Sequence, residues 1–470
     1  MSTSPSTEEA REYAQRYRLI PLQRELLADL LTPVRAYSLL CPPGSRGFLL
    51  ESVEGGERLA RYSFIGYRPE PFEVGEGDPL TALREIAEAS VAPVPGLPRF
   101  HGGVVGYLGY EIARHFEKLP AARGPGPAMA ESRFLKAEDL AVFDHVTHRL
   151  KLLTIHRPES ETYAAAVARL DAMERLLGAD SPPGEPKPHG NGATWQSNLT
   201  QGAYCSMVDA AREEIHAGEA FQVVLSQRYQ KSLGARPLDV YRCLRALNPS
   251  PYMYYLDLGD GSHIVGTSPE VLVQVEDGRV RVRPLAGTRR RGTDSAEDAA
   301  LEKELLADPK ERAEHVMLVD LGRNDVGRVA KPGTVSVDRL MEVERYSHVM
   351  HISSTVTGHL SETSTGLDAL RAAFPAGTVS GAPKIRAMEI IAELEPDQRG
   401  PYSGAFGYVG FGGNLDMAIT LRTVVIAGGE AFVQAGAGIV ADSVPEREYQ
   451  ETLDKAGVMF EAIRMAEEMP

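Results

Sequence analysis

The chain is poor in the features of secreted and membrane-spanning proteins. Cys41, Cys205 and Cys243 are its only cysteines, and none lies in a CxxC pair. Isolated thiols of this kind are typical of a reduced, cytoplasmic protein. The N-terminus is polar and acidic without the apolar segment of a signal peptide, and no run of about 18 apolar residues follows. We therefore expect a cytoplasmic protein that does not enter a membrane.

Basic residues are also in deficit. The 470 residues include 50 Lys and Arg against 65 Asp and Glu, for a net charge of -15. An acidic surface argues against nucleic acid and anionic membrane as partners. A small anionic substrate remains possible, because a pocket can be locally basic.

A segment rich in proline, glycine and charge divides the chain. Residues 179–193, ADSPPGEPKPHGNGA, cannot bury a core and predict an exposed linker. The sequence before it predicts mainly strands, and the sequence after it predicts helices mixed with strands. We therefore divide the chain into an N-terminal β-rich region (1–178), the linker (179–193) and a larger C-terminal domain (194–470).

Hydrophobic periodicity predicts many short strands without strict β-α-β alternation, which is typical of the α+β class. Helices are predicted at residues 161–177, 201–216, 296–320, 383–394 and 445–465. Strands are predicted at residues 36–41, 47–53, 62–67, 140–143, 150–156, 221–229, 252–258, 264–275, 279–282, 417–426 and 431–434. Pro383 and Pro445 are predicted in first helical turns, where the missing N–H costs nothing.

Four glutamates form two pairs with helical spacing. Glu311 and Glu314 belong to one predicted helix, and Glu448 and Glu451 belong to another. Each pair projects from one helix face, so four carboxylates would converge if the two faces met, and a divalent cation would be required. Mg²⁺ held by one or two of them would leave room for an acidic substrate. Each pair alone is also explained by a solvated face or by the helix dipole.

A glycine-rich stretch near the C-terminus predicts an anion site. Residues 434–438, QAGAG, follow a predicted strand, and the glycines would let backbone N–H groups approach an anion. Arg422, within a predicted strand, could bind a carboxylate through two hydrogen bonds. An arginine that only covers apolar surface at a strand end is the alternative. A dinucleotide site is rejected, because Pro445 begins the next helix too late to hold a phosphate.

Two further positions are candidates for acid or base chemistry. His348 and His351 form an HxxH pattern, but their β-branched neighbours predict a strand, on which the two rings point to opposite faces. A zinc pair is therefore disfavoured, although one histidine in a pocket could still transfer protons near neutral pH. Glu270, at the end of a predicted strand, could be a general acid, or merely a turn residue after Pro269.

Several longer motifs follow one another along the chain. They are LLES (49–52), ARYSFIG (60–66), GEAFQVVLSQ (218–227), PSPYMYYL (249–256), GTSPE (266–270), EHVMLVDLGRND (314–325), YSHVMH (346–351), GTVSGAPK (377–384) and VQAGAGIVADS (433–443). From about residue 48 to residue 456 the chain thereby resembles the chorismate-utilising enzymes, and among them the component I family of anthranilate synthases. The resemblance implies two large, mostly antiparallel β-sheets packed as a sandwich with helices outside.

The resemblance also implies roles for particular residues. Glu314 and Glu451 would hold Mg²⁺, with Glu311 and Glu448 beside them. The catalytic group would comprise Glu270 as general acid, His351 for pyruvate elimination and the nearby Thr378. Chorismate would be bound by Gly266, Thr267, Tyr402, Arg422, Gly436, Ala437 and Gly438. Tryptophan, as a feedback inhibitor, would be bound by Leu50, Glu51, Ser52, Pro251, Tyr252 and Met253.

Two positions distinguish branches of the family. Relatives that add water carry a lysine base where Gln222 stands, and aminodeoxychorismate synthases carry a nucleophilic lysine where Ala286 stands. Both absences favour ammonia as the nucleophile. The implied reaction converts chorismate and ammonia to anthranilate and pyruvate in the C-terminal domain, the first committed step of tryptophan biosynthesis.

The resemblance implies a second subunit. Release of ammonia from glutamine needs a reactive cysteine, and none of the three cysteines lies in a GxCxG-type turn. A glutamine amidotransferase, component II, is therefore implied, in a heterotetramer of two large and two small subunits. The alternatives are an aminodeoxychorismate synthase, an inactive regulatory subunit that binds tryptophan, and a non-enzymatic metal-binding protein. Ala286 argues against the first, and the complete set of candidate residues argues against the second.

Overall fold

A computed structural model describes residues 3–52, 61–180, 192–345 and 349–469. Its helices are α1 (Thr7–Tyr13), α2 (Pro33–Leu40), α3 (Pro79–Ala87), α4 (Tyr163–Leu177), α5 (Gln201–His216), α6 (Pro237–Leu247), α7 (Ser295–Ala307), α8 (Pro309–Gly327), α9 (Gly366–Ala373), α10 (Gly377–Ser380), α11 (Lys384–Leu394) and α12 (Pro445–Glu468). A 3₁₀ helix spans Tyr110–His115. Within these described residues, no helix is both long and apolar enough to cross a membrane.

The strands are short and numerous, as the periodicity predicts. They are β1 (Ile20–Leu27), β2 (Gly47–Glu51), β3 (Tyr62–Gly66), β4 (Glu70–Phe72), β5 (Gly103–Leu108), β6 (Ser132–Ala137), β7 (Asp139–Asp144), β8 (Arg149–His156), β9 (Gln196–Ser197), β10 (Gln222–Ser232), β11 (Tyr252–Asp257), β12 (His263–Ser268), β13 (Val271–Glu276), β14 (Arg279–Val282), β15 (Leu285–Arg290), β16 (Ser336–Arg345), β17 (Val349–His359), β18 (Gly381–Ala382), β19 (Ala405–Gly410), β20 (Leu415–Ile419), β21 (Thr423–Ala427) and β22 (Glu430–Ile439).

Antiparallel pairing arranges these strands in two large sheets. The first runs in the order β1-β8-β7-β3-β2-β11-β12-β21-β22-β10-β18, with β9 added to β10. The second runs in the order β15-β17-β14-β13-β20-β19-β5-β6-β4, with β16 added to β17. Two antiparallel sheets combined with helices confirm the α+β class predicted from the sequence.

Strands from both sides of residues 179–193 belong to each sheet. In the first sheet β2 pairs with β11, so that Leu49 lies opposite Tyr255. In the second sheet β5 pairs with β19, so that Gly106 lies opposite Gly407. The two parts of the chain therefore share a hydrogen-bonded framework, and their assignment as separate domains stays a prediction.

Aromatic side chains from both sheets fill a common core. Phe48 and Tyr254 come from the first sheet, Phe406 and Tyr408 come from the second, and all four are buried in one cluster. The rings of Tyr254 and Phe406 stack with centroids 4.0 Å apart. Offset stacking adds to the free energy that burial of these large apolar side chains contributes.

Several predicted elements differ from the structure. Residues 36–41, predicted as a strand, lie mostly in α2, because Thr32 caps this helix, Pro33 begins it and a buried apolar helix can read as a strand. The predicted helix at 296–320 is two helices, because Asp308 caps a new one that begins at Pro309. Pro383 is the N-cap of α11 rather than its first residue. The predicted strand at 264–275 is interrupted between β12 and β13.

We predict that truncation of Phe48 destabilises both sheets together. Phe48 is fully buried, and its ring lies directly against Gly66 on the neighbouring strand. Phe48→Ala should lower the free energy of unfolding by about 3–5 kcal/mol, because it leaves a cavity in the core. Urea denaturation followed by circular dichroism measures this loss. Leu30→Ala is the control, because Leu30 is 94% exposed and its truncation should change stability by less than about 0.5 kcal/mol.

Candidate active site

The candidate site surrounds the end of β22 and the start of β10. The amide of Gln222, the first residue of β10, donates to the Glu314 carboxylate of α8 at 3.0 Å. The same amide covers Gly438, where an added β-carbon would lie 2.6 Å from its nitrogen. Lys455 of α12 donates to the Gly436 carbonyl at 2.9 Å and forms an ion pair with Glu451 at 2.7 Å. The structure thus brings Glu314 and Glu451 to the same end of β22.

The other two glutamates of the predicted metal site, Glu311 and Glu448, lie in the first turns of α8 and α12. Glu311 accepts from Arg289 at 3.1 Å. Burial and the neighbouring Glu451 charge raise the pKa of Glu448, against the opposing effect of Lys310. Lys310 precedes Glu311 in α8, and its charge acts on Glu448 of α12. Across the described parts of the chain, however, no three or more metal-binding side chains form a cluster, and the Mg²⁺ site stays a prediction.

The glycine-rich segment lies within a strand and not in a turn. Residues 434–438 belong to β22, where Gly436 is paired with Ser226 and Gly438 with Val224 of β10. The prediction that the strand ends at residue 434 is wrong, because β10 pairs with the whole segment. Side chains alternate along a strand, so Ala437 packs in the core while the two glycines face the other way. The absence of side chains lets the Tyr402 hydroxyl and the Gln222 amide approach the strand backbone on that face.

Tyr402 covers the strand backbone at Gly436. A β-carbon at Gly436 would lie 2.8 Å from the Tyr402 hydroxyl, so the phenol lies against the strand backbone. Burial raises the pKa of Tyr402 to about 12, and the phenol therefore stays protonated at neutral pH. Its position next to Gly436 agrees with the predicted joint role in carboxylate binding.

Arg422 lies in the break between β20 and β21. The sequence pattern predicts it inside one continuous strand, but its backbone adopts φ 46°, which interrupts the strand. Its guanidinium donates to Asn248 at 3.1 Å, and its backbone carbonyl accepts from Thr267 at 3.1 Å. Arg422 and Thr267, predicted separately as substrate residues, are therefore neighbours. Gly266, the residue before, is covered by the ring of Tyr254.

Glu270 is a buried acid without an adjacent ion-pair partner among the described contacts. It lies between β12 and β13, accepts from the Thr378 hydroxyl at 3.2 Å and accepts from the Leu285 N–H at 3.4 Å. Burial raises its pKa to about 8, although both hydrogen bonds and the charge of Arg283 oppose this shift. Glu270 is therefore protonated at neutral pH, as a general acid must be.

His351 lies in β17 and is neutral at physiological pH. Its Nδ1 atom is 3.0 Å from the Gly287 carbonyl, so Nδ1 carries the proton and Nε2 carries the lone pair. Burial lowers its pKa to about 4, and the charges of Arg422 and Lys455 contribute to the same shift. The effect of these two charges indicates that His351 lies near Arg422 and Lys455. The HxxH partner His348 lies outside the described residues.

Ala286 stands next to this histidine in β15. It is paired with Ile352 of β17, and a bulge at Gly287 then places Thr288 opposite His351. Gly287 has φ 67°, which a side chain would strain. The small Ala286 side chain offers no nucleophile at this position.

A family model for chorismate binding enzymes matches residues 48–461. The chain belongs to this family. Component 1 of anthranilate synthase from Streptomyces coelicolor is 58% identical over 99% of this chain and 93% of that protein. The protein of the same name from Thermus thermophilus is 50% identical over 96% of this chain and 99% of its own length.

Two solved structures share the fold. Anthranilate synthase component I from Streptococcus pneumoniae is 38% identical with a TM-score of 0.79, over 93% of this chain and 99% of that chain. The menaquinone-specific isochorismate synthase of Escherichia coli is 20% identical with a TM-score of 0.74, over 97% and 98%. The sandwich fold and the component I resemblance predicted from the motifs are confirmed, and the protein is a chorismate-utilising enzyme.

The two segments assigned to tryptophan binding, residues 50–52 and 251–253, lie side by side in the structure. Met253 pairs with Glu51, and Leu50 lies opposite Tyr254 on adjacent strands β2 and β11. Glu51 is buried and accepts from Tyr241 at 2.5 Å and from Arg245 at 2.8 Å, both on α6. Ser52 and Pro251 flank these strands, and Tyr252 donates to Asp416 of the second sheet at 2.8 Å. Tryptophan binding there stays a prediction.

Sequence analysis missed three residues that support the site. Lys455 lies one helical turn after Glu451, a spacing that could have drawn attention to it. Asn248 directly precedes the PSPYMYYL motif, and nothing in the neighbouring sequence indicates which residues it contacts. Arg399 is 1% exposed and donates to the carbonyl groups of Val379 and Val224, both at 2.7 Å. Such long-range contacts leave no pattern in the sequence.

We predict that Glu270 makes the stability of this enzyme depend on pH. Between about pH 4.5 and about pH 8 the unfolded chain loses the Glu270 proton while the folded state retains it. The free energy of unfolding should therefore fall as pH rises through this interval. Glu270→Gln removes this contribution, so its stability relative to the wild type should increase from about pH 5 to about pH 8.5 in urea denaturation.

Glu362→Gln provides the control for this experiment. Its side chain is 91% exposed, so this variant should follow the pH dependence of the wild type. A Glu270→Gln protein whose stability runs parallel to the wild type at all pH values would show that the buried acid does not retain its proton.

Proposed function

We propose that the protein is the large subunit of an anthranilate synthase and converts chorismate and ammonia to anthranilate and pyruvate. The observation that carries this proposal is the pair of uncharged residues at the branch-determining positions, Ala286 and Gln222. Neither can attack the substrate or deprotonate water, so the nucleophile is an external amine that needs no base. Relatives named anthranilate synthase component 1, up to 58% identical, support the same assignment.

Glu270 supplies the proton for the departing ring hydroxyl. Hydroxide is a poor leaving group, so the bond from ring carbon to oxygen breaks as Glu270 protonates the oxygen and water leaves. The carboxyl is protonated at neutral pH because burial raises its pKa to about 8. Thr378 holds the carboxyl through its hydroxyl and thus orients the proton. Ammonia adds to the ring carbon beside the carboxylate.

His351 acts in the second half of the reaction. The aminated ring becomes aromatic when it loses a proton and the bond to the enolpyruvyl oxygen breaks, and the enolpyruvyl carbon takes up a proton to give pyruvate. Neutral His351, with its lone pair on Nε2, is suited to accept the ring proton. Its hydrogen bond to Gly287 keeps the ring in this tautomer.

Two anchors would hold the two carboxylates of chorismate. Arg422, the Tyr402 hydroxyl and the backbone at Gly436–Gly438 would form the first anchor, assigned to the enolpyruvyl carboxylate. A guanidinium binds a carboxylate with two parallel hydrogen bonds. Gly266, Thr267 and Ala437 would complete the wall of the pocket, Gly266 and Ala437 through their backbones.

The second anchor would be Mg²⁺ bound by Glu314 and Glu451, with Glu311 and Glu448 beside them. The residues fit this ion, because Mg²⁺ commonly takes one or two carboxylates plus water and substrate oxygens. Burial, and to a lesser extent the charge of Glu451, raises the pKa of Glu448, and a bound cation would favour its charged form. When bound, the ion withdraws charge from the ring carboxylate and so activates the conjugated ring.

A glutamine amidotransferase subunit, component II, would deliver the ammonia. The three cysteines do not suit glutamine hydrolysis, because burial raises the pKa of the Cys41, Cys205 and Cys243 thiols. The name component 1 of the relatives supports a partner chain. We propose a cytoplasmic heterotetramer of two large and two small subunits, without nucleic acid or membrane as a partner.

L-Tryptophan would inhibit the enzyme by binding where β2 and β11 meet. The residues assigned to it are Leu50, Glu51, Ser52, Pro251, Tyr252 and Met253. Pairing of Glu51 with Met253 supports a single site built from both motifs. Helix α6 connects this site to the substrate anchor, because Tyr241 and Arg245 hold Glu51 while Asn248 at its end contacts Arg422.

We predict that the isolated chain makes anthranilate and pyruvate in equal amounts. The assay contains chorismate, Mg²⁺ and an excess of an ammonium salt at about pH 8, where part of the nucleophile is NH₃ and part of Glu270 keeps its proton, and follows anthranilate fluorescence and pyruvate together. Glu270→Gln should lower kcat by about 10²–10⁴-fold, because it removes the general acid. Chelation of Mg²⁺ should abolish turnover, whereas Glu362→Gln should not.

An amino product formed without pyruvate would contradict this reaction. It would assign the chain to the aminodeoxychorismate branch and remove the role of His351. Binding of chorismate without any turnover, in the presence of the amidotransferase, would instead favour a regulatory subunit.

We predict that tryptophan inhibits this activity and that Ser52 contributes to its binding. Ser52→Ala should raise the tryptophan concentration for half-inhibition by about threefold to tenfold, the effect of one hydrogen bond. Ser45→Ala is the matched control, because the Ser45 hydroxyl is exposed and donates to the Pro42 carbonyl at 2.6 Å. Full activity at saturating tryptophan would refute the inhibitor site.

A further inference from the structure

We infer that Asn248 is a positioning residue for the substrate carboxylate, acting through Arg422 and Thr267. The inference rests on the proposed function, because it concerns the same carboxylate anchor. Asn248 ends α6 and is partly buried, and its side-chain amide lies between the two substrate residues. It contacts both of them without being part of either strand.

The amide can be oriented in only one way. A guanidinium donates hydrogen bonds and never accepts them, so the atom 3.1 Å from Arg422 Nη1 must be the Asn248 carbonyl oxygen Oδ1. The Nδ2 atom then donates to the Thr267 hydroxyl oxygen at 2.9 Å. Thr267 is therefore an acceptor in this contact, and its own hydroxyl proton points elsewhere. One neutral side chain thus sets the direction of both groups.

Helix α6 gives Asn248 a rigid base. The Asn248 N–H caps the helix by donating to the Leu244 carbonyl at 2.9 Å, and Leu244 is fully buried. The Asn248 Nδ2 atom also donates to the Ser250 hydroxyl at 3.3 Å, and this contact holds the turn that follows the helix. A rigid base matters because Arg422 lies in a strand break at φ 46°, where the sheet does not fix its direction.

A neutral partner suits this role better than an acid. A carboxylate at position 248 would satisfy Arg422 internally and compete with the substrate carboxylate for the guanidinium. An amide oxygen orients the guanidinium but leaves its positive charge in place. Asparagine also offers a donor to Thr267 from the same side chain, which aspartate would lack.

The test compares Asn248→Ala with the wild type in the ammonia-dependent assay. Loss of a hydrogen bond to a charged group should raise KM for chorismate by about tenfold to 100-fold, with a much smaller change in kcat. Asn198→Ala is the matched control. Asn198 also joins two groups, through bonds of 2.9 Å to Asp397 and to the Arg228 N–H, but neither group belongs to the anchor.

A double-mutant cycle shows whether Asn248 acts through Arg422. We expect Asn248→Ala to raise KM much less when Arg422 is already alanine, because only its contact with Thr267 then remains. Equal effects of Asn248→Ala in both backgrounds would overturn the inference. So would an unchanged KM in Asn248→Ala, or an equal rise in the Asn198→Ala control.

The wild-type result separates this inference from the proposed function. A wild-type chain that makes no anthranilate from chorismate and ammonia overturns the proposed function. A wild-type chain that makes anthranilate, together with an Arg422→Ala variant of normal KM, leaves the reaction standing but overturns the carboxylate anchor and the role of Asn248.

Discussion

The buried ion pair between Arg399 and Glu395 is the interaction on which the site depends. The guanidinium binds Glu395 and also donates to the carbonyl groups of Val379 and Val224. Glu395 in turn accepts from the backbone and the hydroxyl of Ser226. Removal of one partner from a buried pair costs about 3–5 kcal/mol, because the remaining charge has no water to solvate it. β10, α10 and the turn after Arg399 are therefore fixed relative to one another.

Arg399, Glu395 and the segments that they hold, β10 and α10, form a frame that connects groups far apart in the chain. Val379 follows Thr378, which orients Glu270, and the turn after Arg399 leads to Tyr402 beside Gly436. Glu270 and strand β22 thus share one rigid support. Burial serves chemistry here as well as stability, because the same exclusion of water raises the pKa of Glu270 to about 8. Glu270 therefore keeps its proton at neutral pH and lowers the free energy of unfolding above about pH 8.

Features that depend on local order could be predicted from the sequence. The helix that begins at Pro445 and the strand that carries His351 are predicted correctly, because periodicity and turn residues record them. Residues 434–438 and Arg422 are predicted in the right region but in the wrong element, because pairing and strand breaks depend on neighbouring strands. Asn248 could not be found at all, since its contact with Arg422 spans 174 positions of sequence.

The partners of charged groups differ between the frame and the site. In the frame, Arg399 is matched by an acid, and the pair carries no net charge. At the site, Glu314 is contacted by an amide and Glu270 by a hydroxyl, while Arg422 is contacted by the amide of Asn248. Amide and hydroxyl partners orient these groups through hydrogen bonds and do not neutralise their charge.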